Sequence, residues 1–186
     1  MSIQEKFVSM DRDNIEAYTP RYAVDIILPY LSRDKVIWAP FSLDSHNFAG
    51  YLRELGYNVI NTHFDPDTGI GKNFLTFEPD FHFDLILDNP PFKGKSKYVA
   101  RAITHGKPFA LFLPFNSFGD NGIPSLFLRN GLEPQMLIPD KRVQFENQDD
   151  TGISFKTVYI CSGILPQQMI FCKLNVPSKT KKEAMW

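Results

Sequence analysis

Residues 83–92 read Phe-Asp-Leu-Ile-Leu-Asp-Asn-Pro-Pro-Phe. The run FDLIL at 83–87 has the length and apolar character of a strand. Asp88-Asn89-Pro90-Pro91 ends it, because proline locks φ and cannot donate to a sheet ladder. The chain on either side alternates between two periods. Residues 35–39 (KVIWA), 57–60 (YNVI) and 108–113 (PFALFL) are further strand candidates, and residues 133–138, 154–161 and 168–174 complete the set. Between them lie helical stretches. Residues 14–31 place Ile15, Val24, Ile27, Leu28 and Leu31 on one face, with the main helix starting at Pro20 behind Thr19. Residues 45–55 place Phe48, Tyr51, Leu52 and Leu55 on one side and stop at Gly56. Residues 95–105 and 123–129 complete the helices, while 116–123 reads as a loop. Strands alternating with helices predict an α/β sheet, mostly parallel, with helices on both faces. Its C-terminal section is expected to be antiparallel, with 154–161 and 168–174 paired across 162–166. Ligands of such sheets bind outside the carboxyl ends of the strands.

Composition narrows the function classes. The chain has 186 residues, 43% of them hydrophobic, enough for one domain with its own core. Twenty Lys plus Arg against 21 Asp plus Glu leave a net charge of -1, so this is not an overtly polycationic nucleic-acid binder. Cys161 and Cys172 lie in apolar, strand-like text and read as reduced core residues. His46, His63, His82 and His105 form no metal-ligand spacing, and no metal site is expected. Gly69-Ile70-Gly71-Lys72 lacks the spacing of a phosphate-binding loop. No apolar run approaches the roughly 18 residues of a membrane span. The polar N-terminus lacks the apolar region of a leader, and a cytoplasmic location without membrane contact is expected.

Asn89-Pro90-Pro91-Phe92, placed directly after a strand, resembles the catalytic motif of S-adenosylmethionine-dependent amino-methyltransferases, most typically the N6-adenine enzymes. The residue types suit that chemistry. An exocyclic amine on an aromatic ring is a poor nucleophile, because its lone pair is delocalised. The Asn89 side-chain carbonyl and the Pro90 main-chain carbonyl can accept its two hydrogens and favour a more tetrahedral nitrogen. Pro91 stiffens the loop, and Phe92 can stack on the base once it leaves the helix stack. A strand-ending loop with Phe92 as a core ring is the plainer alternative.

The same family implies further stations, which occur here in the family's order. Tyr18-Thr19-Pro20 resembles the motif that precedes the cofactor site, with Thr19 and Pro20 the matching positions. Trp38-Ala39-Pro40-Phe41 falls where many members carry Asp-Pro-Phe-x-Gly-x-Gly. Pro40 and Phe41 match, Ala39 replaces the acidic residue and the glycines are absent. Asp44 and Ser45 follow, as candidates for the cofactor's ammonium and carboxylate or as plain helix caps. After the second strand, His63 or Asp65 is the candidate for the ribose hydroxyls. Asn73-Phe74 resembles the Asp-Phe pair that meets the cofactor adenine. Asp140-Lys141-Arg142-Val143-Gln144-Phe145 resembles the segment near the target pocket, with Arg142 on phosphate and Phe145 walling the base. Lys93, Lys95, Lys97 and Arg101 form a basic cluster behind the catalytic loop, facing phosphates or only solvent.

The resemblance implies a Rossmann-like methyltransferase domain over 1–176, without a separate target-recognition domain, and a polar tail at 177–186. The cofactor it implies is S-adenosylmethionine, and the substrate is the N6 amine of adenine in DNA. RNA amines, a protein glutamine, or an inactive nucleic-acid-binding or partner subunit are the alternatives. Specificity is then expected to be low and built from short loops such as 116–123 and 140–151, or to come from a homodimer or a separate specificity subunit.

Overall fold

The computed structural model describes residues 19–43, 48–64, 69–119, 122–145 and 156–177. The order along the chain is α1 (Arg21–Asp25), β1 (Val36–Ala39), α2 (Ala49–Glu54), β2 (Asn58–Asn61), β3 (Leu85–Asp88), α3 (Lys95–Thr104), β4 (Phe109–Pro114), α4 (Asn116–Gly119), α5 (Ile123–Arg129), β5 (Gln135–Pro139), β6 (Thr157–Ser162) and β7 (Met169–Cys172). A single 3₁₀ turn, Leu28–Tyr30, follows α1. Among the described residues the strands form one sheet in the order β2-β1-β3-β4-β6-β5-β7. β1 to β4 pair in parallel, and β6 enters antiparallel between β4 and β5. This is the expected Rossmann-like architecture, mostly parallel with an antiparallel element towards the C-terminus.

Period-two burial explains why the sheet is covered on both faces. Ile37 and Ala39 of β1 share one core with Leu85, Leu87, Ala110 and Phe112, beneath Ala23 and Val24 of α1 and Ala49 and Leu52 of α2. Trp38, Ile86, Leu111 and Leu113 point the other way, beneath Val99, Ala102 and Ile103 of α3 and Ile123 and Phe127 of α5. The three buried residues of α3 follow i, i+3, i+4 spacing, which aims them at one stripe. Every residue of β3 and of β4 is buried.

Three expectations need correction. Residues 14–18, with Ile15, lie outside the described residues, and within 19–31 the helix ends early: α1 stops at Asp25. Pro29 sits four residues on, where its ring clashes with the Asp25 carbonyl and no amide is available to bond it. Residues 116–119 form a helical turn rather than a loop. The expected β6–β7 pair is absent: β7 adds in parallel to the far side of β5, which therefore lies between them. Gln135 at the start of β5 explains the crossover. Its Oε1 accepts from the amides of Ile164 and Leu165 at 3.0 Å each, and its Nε2 donates to the Leu165 carbonyl at 2.6 Å. These bonds hold the connection against the start of β5, on the path that carries β7 to its far side.

No helix among the described residues is long and apolar enough to cross a membrane. Cys161 is buried and Cys172 half-buried, both as free thiols.

Candidate active site

β1 leads outward to β2, while β3 lies on the opposite side of β1, so the strand order reverses between β1 and β3. That reversal opens the crevice in which ligands of such sheets bind. The loop following β1 and the loop following β3 meet there, and Asp88 joins them. Its Oδ2 accepts from the Phe41 amide at 2.6 Å. Its Oδ1 accepts from the Ser42 hydroxyl at 2.6 Å and from the Asn89 amide at 2.8 Å. Asp88 is 1% exposed. Burial pushes its carboxyl pKa up, against the opposing pull of the Ser42 hydroxyl and the Phe41, Asn89 and Ser42 amides.

Residues 40–42 are held from the β2 side as well. Asn61 Nδ2 donates to the Ser42 carbonyl at 3.0 Å, and His63 Nδ1 donates to the Phe41 carbonyl at 2.8 Å. Arg53 orients Asn61 through its Oδ1 and also donates to the Val59 carbonyl at 3.0 Å. Side chains thus grip a backbone loop that has no glycine. The Phe41 ring lies edge-on to Phe74 and to Tyr98, each at 5.1 Å between centroids. Desolvation raises the Tyr98 hydroxyl pKa.

Thr19 is buried and accepts from Asn89 Nδ2 at 2.9 Å. Pro20, also buried, takes the N-cap position of α1. Pro90 is buried and Pro91 exposed. Phe92 is half-buried, with its ring edge-on to Phe145 at 5.9 Å and 75°. Phe145 is 5% exposed and lies 6.1 Å from Phe112, so it forms the floor behind Phe92. Tyr22 ties this segment to α1, because its hydroxyl accepts from the Gln144 amide and donates to the Gln144 carbonyl, both at 2.9 Å.

The remaining expected residues are more dispersed. Phe74 is 2% exposed, packed against Trp38, Phe41 and His105. Asn73 Oδ1 accepts from the Leu75 amide at 3.0 Å, which closes a local turn. Lys93 and Arg142 are exposed and Lys95 is half-buried. Arg101 does not join the lysines. It donates to the carbonyls of Phe74 and Phe77 and to Glu78, and so clamps the 73–78 loop. Asp44, Ser45 and Asp65 lie outside the described residues.

Sequence reading passed over Asp88 and Ser42 as site residues. The available signal was a carboxylate closing an otherwise apolar strand directly before Asn89-Pro90-Pro91-Phe92. Two cavities, of about 340 and 220 Å³, lie elsewhere and touch none of Thr19, residues 40–43 or residues 89–92. The first is lined by residues 106–109 with Ser162 and Gly163, at the amino end of β4. The converging polar groups at the strand reversal mark the site better than concavity does, since residues 44–47, 65–68 and 146–155, which follow β1, β2 and β5, lie outside the described set. No group of three His, Cys, Asp or Glu among the described residues is placed to hold a metal.

No protein-family model matches the sequence, and no curated protein matches it. Solved structures do match. The methyltransferase subunit of a type I restriction-modification system from Streptococcus thermophilus superposes with a TM-score of 0.55 at 14% identity, over 84% of this chain and 46% of that one. A chain assigned as the modification subunit of a type I restriction enzyme from Vibrio vulnificus gives 0.48 at 14% identity, over 96% and 52%. A predicted O-methyltransferase from Agrobacterium tumefaciens gives 0.48 at 14% identity, over 87% and 90%. This chain thus spans about half the length of the two restriction-system subunits. The Streptococcus match supports the fold: a methyltransferase-type Rossmann-like sheet.

Proposed function

We propose that this chain transfers a methyl group from S-adenosylmethionine to the exocyclic N6 amine of adenine in DNA. One observation carries the reading: Asn89-Pro90-Pro91-Phe92 stands at the carboxyl end of β3, beside the strand-order reversal of a methyltransferase-type sheet. In this mechanism the Asn89 side-chain carbonyl and the Pro90 carbonyl accept the two hydrogens of the target amine. The nitrogen lone pair is then aimed by positioning rather than by a strong base. The Asn89 amide nitrogen is engaged by Thr19, which fixes the orientation of the side-chain amide. Phe92 stacks on the base, supported from behind by Phe145. Lys93, Lys95 and Arg142 are the cations proposed to meet DNA phosphates.

The donor set around residues 40–42 fits the adenosine part of the cofactor. Aromatic Phe41 and Tyr98 offer apolar surface for adenine, while His63 and Asn61 bring polar groups to the end of β2 for the ribose. When bound, S-adenosylmethionine supplies an electrophilic methyl on its sulfonium. Asp44 and Ser45 are proposed for its methionine end. A separate specificity subunit or a second copy would supply sequence recognition.

The test is labelled methyl transfer by the purified chain to DNA, RNA and protein pools. N6-methyladenine in DNA, lost in Asn89→Ala, is expected. Label confined to RNA or protein moves the substrate. No binding of millimolar S-adenosylmethionine would leave a methyltransferase fold used only for binding.

A further inference from the structure

We infer that Asp88, outside the Asn-Pro-Pro-Phe motif, is a positioning residue that locks the loop following β1 and the catalytic loop into one register. The inference rests on the methyltransferase reading above and deepens it. Every group that meets Asp88 can donate to it: the Phe41 amide, the Ser42 hydroxyl and amide, and the Asn89 amide, and a backbone amide can only donate. Its two oxygens have separate tasks. Oδ2 serves the loop that would hold cofactor, while Oδ1 serves that loop through Ser42 and the catalytic loop through the Asn89 amide. The carboxylate therefore sets the spacing between the methyl donor and the groups that hold the amine. Full burial makes each bond costly to lose, because no water stands ready to replace it. The other two grips on residues 40–42, Asn61 and His63, come from the β2 side and do not reach the catalytic loop.

Asparagine has the same shape and fails at this position for a definite reason. If its carbonyl faces Phe41, its NH₂ faces the Asn89 amide. If its carbonyl faces Asn89, its NH₂ meets the Phe41 amide. The Ser42 hydroxyl can turn and accept, but a backbone N–H cannot. Either orientation leaves one backbone amide, that of Phe41 or that of Asn89, facing an NH₂ instead of an acceptor.

The test compares the wild type, Asp88→Asn and Ser42→Ala in the full chain. It reads kcat and KM for S-adenosylmethionine at a temperature well below each Tm, with amide hydrogen exchange at Phe41 and Asn89. For Asp88→Asn, kcat is expected to fall on the order of 100-fold, as for a small misplacement of reacting groups. Exchange protection should be lost at one of the two amides. Ser42→Ala, which leaves both amides bonded, is expected to lose about 3- to 10-fold. If Asp88→Asn does not fold, Ser42→Ala decides: reduced kcat with both amides protected supports the inference, and unchanged kcat overturns it. An Asp88→Asn protein with lower Tm but wild-type kcat and KM shows a purely structural carboxylate and also overturns it. A wild type that binds no S-adenosylmethionine sinks the methyltransferase reading and this inference together.

Discussion

The Asn89 amide nitrogen donates to the Thr19 hydroxyl at 2.9 Å, bridging 70 residues of sequence. Thr19 is buried just ahead of α1, and Asn89 stands at the end of β3. The Thr-Pro start of a helix and the Asn-Pro-Pro-Phe loop are therefore one assembly, and the helix start serves to aim the amide. Thr19→Val keeps the volume and removes the hydroxyl. It is expected to lower kcat about tenfold, the loss of one hydrogen bond that orients a reacting group. Thr19→Ser should retain most of the activity. Equal kcat in the valine and wild-type proteins would show that Asn89 is aimed by something else.

The basic cluster divides in two. Arg101 has a side chain only 18% exposed and is committed to the 73–78 loop. Its partner Glu78 is 78% exposed, so the ion pair itself contributes little. The bonds to the Phe74 and Phe77 carbonyls contribute most. Arg101→Ala is expected to lose about 1–3 kcal/mol of stability while leaving the salt dependence of DNA binding unchanged. Lys93→Ala and Lys95→Ala should reverse that pattern. Their stability should be unchanged, and the log-log salt slope should become shallower by about 1 for each phosphate no longer neutralised. An Arg101→Ala protein whose salt slope shifts like the lysine variants would return Arg101 to the interface.

What the sequence revealed and what it hid follow one physical division. Period-two and period-3.6 patterns report which face of an element is buried, so β1 to β4 and α5 were legible to within a residue or two. Asn89-Pro90-Pro91-Phe92 was legible because its residues are contiguous. The bridging position of Asp88 was not, because residues 41 and 42, which it joins to Asn89, are brought to it by the fold from more than forty positions away. Arg101 misled for a related reason: it falls in sequence with the lysines of the basic cluster, but the 73–78 loop packs against its turn of α3. Phe74 looked like a ligand contact by position, while its burial shows a ring packed among other rings.

Strand order was hidden too, since β6 and β7 are close enough in sequence to form a hairpin, and Gln135 holds their connection against the start of β5 instead. Gln135→Leu removes three hydrogen bonds to residues 164 and 165 while keeping the bulk. The loss is expected to be about 1–3 kcal/mol, with early hydrogen exchange in β7, the edge strand released first. If the variant unfolds at the wild-type midpoint with β7 equally protected, β5–β7 pairing alone fixes the crossover.

His105 gives the fold a pH dependence of definite sign. Its ring sits edge-on to Trp38 at 5.1 Å and to Phe83 at 5.8 Å, and its Nε2 is buried without a hydrogen-bond partner among the described residues. Burial depresses its pKa below the ordinary 6.5, Arg101 adds to the effect and Glu78 opposes it. The neutral ring is the folded form, whereas the unfolded chain takes up a proton near 6.5. Its contribution is therefore present above that pH and lost as the pH falls through the depressed value. His105→Phe preserves the aromatic packing and carries no proton. Denaturant midpoints of wild type and variant should run parallel above pH 7 and diverge below 6.5, the variant holding its stability further into acid. Parallel curves down to pH 5 would mean that His105 accepts a proton in the folded state as easily as in water, and that the aromatic cage does not exclude the charge.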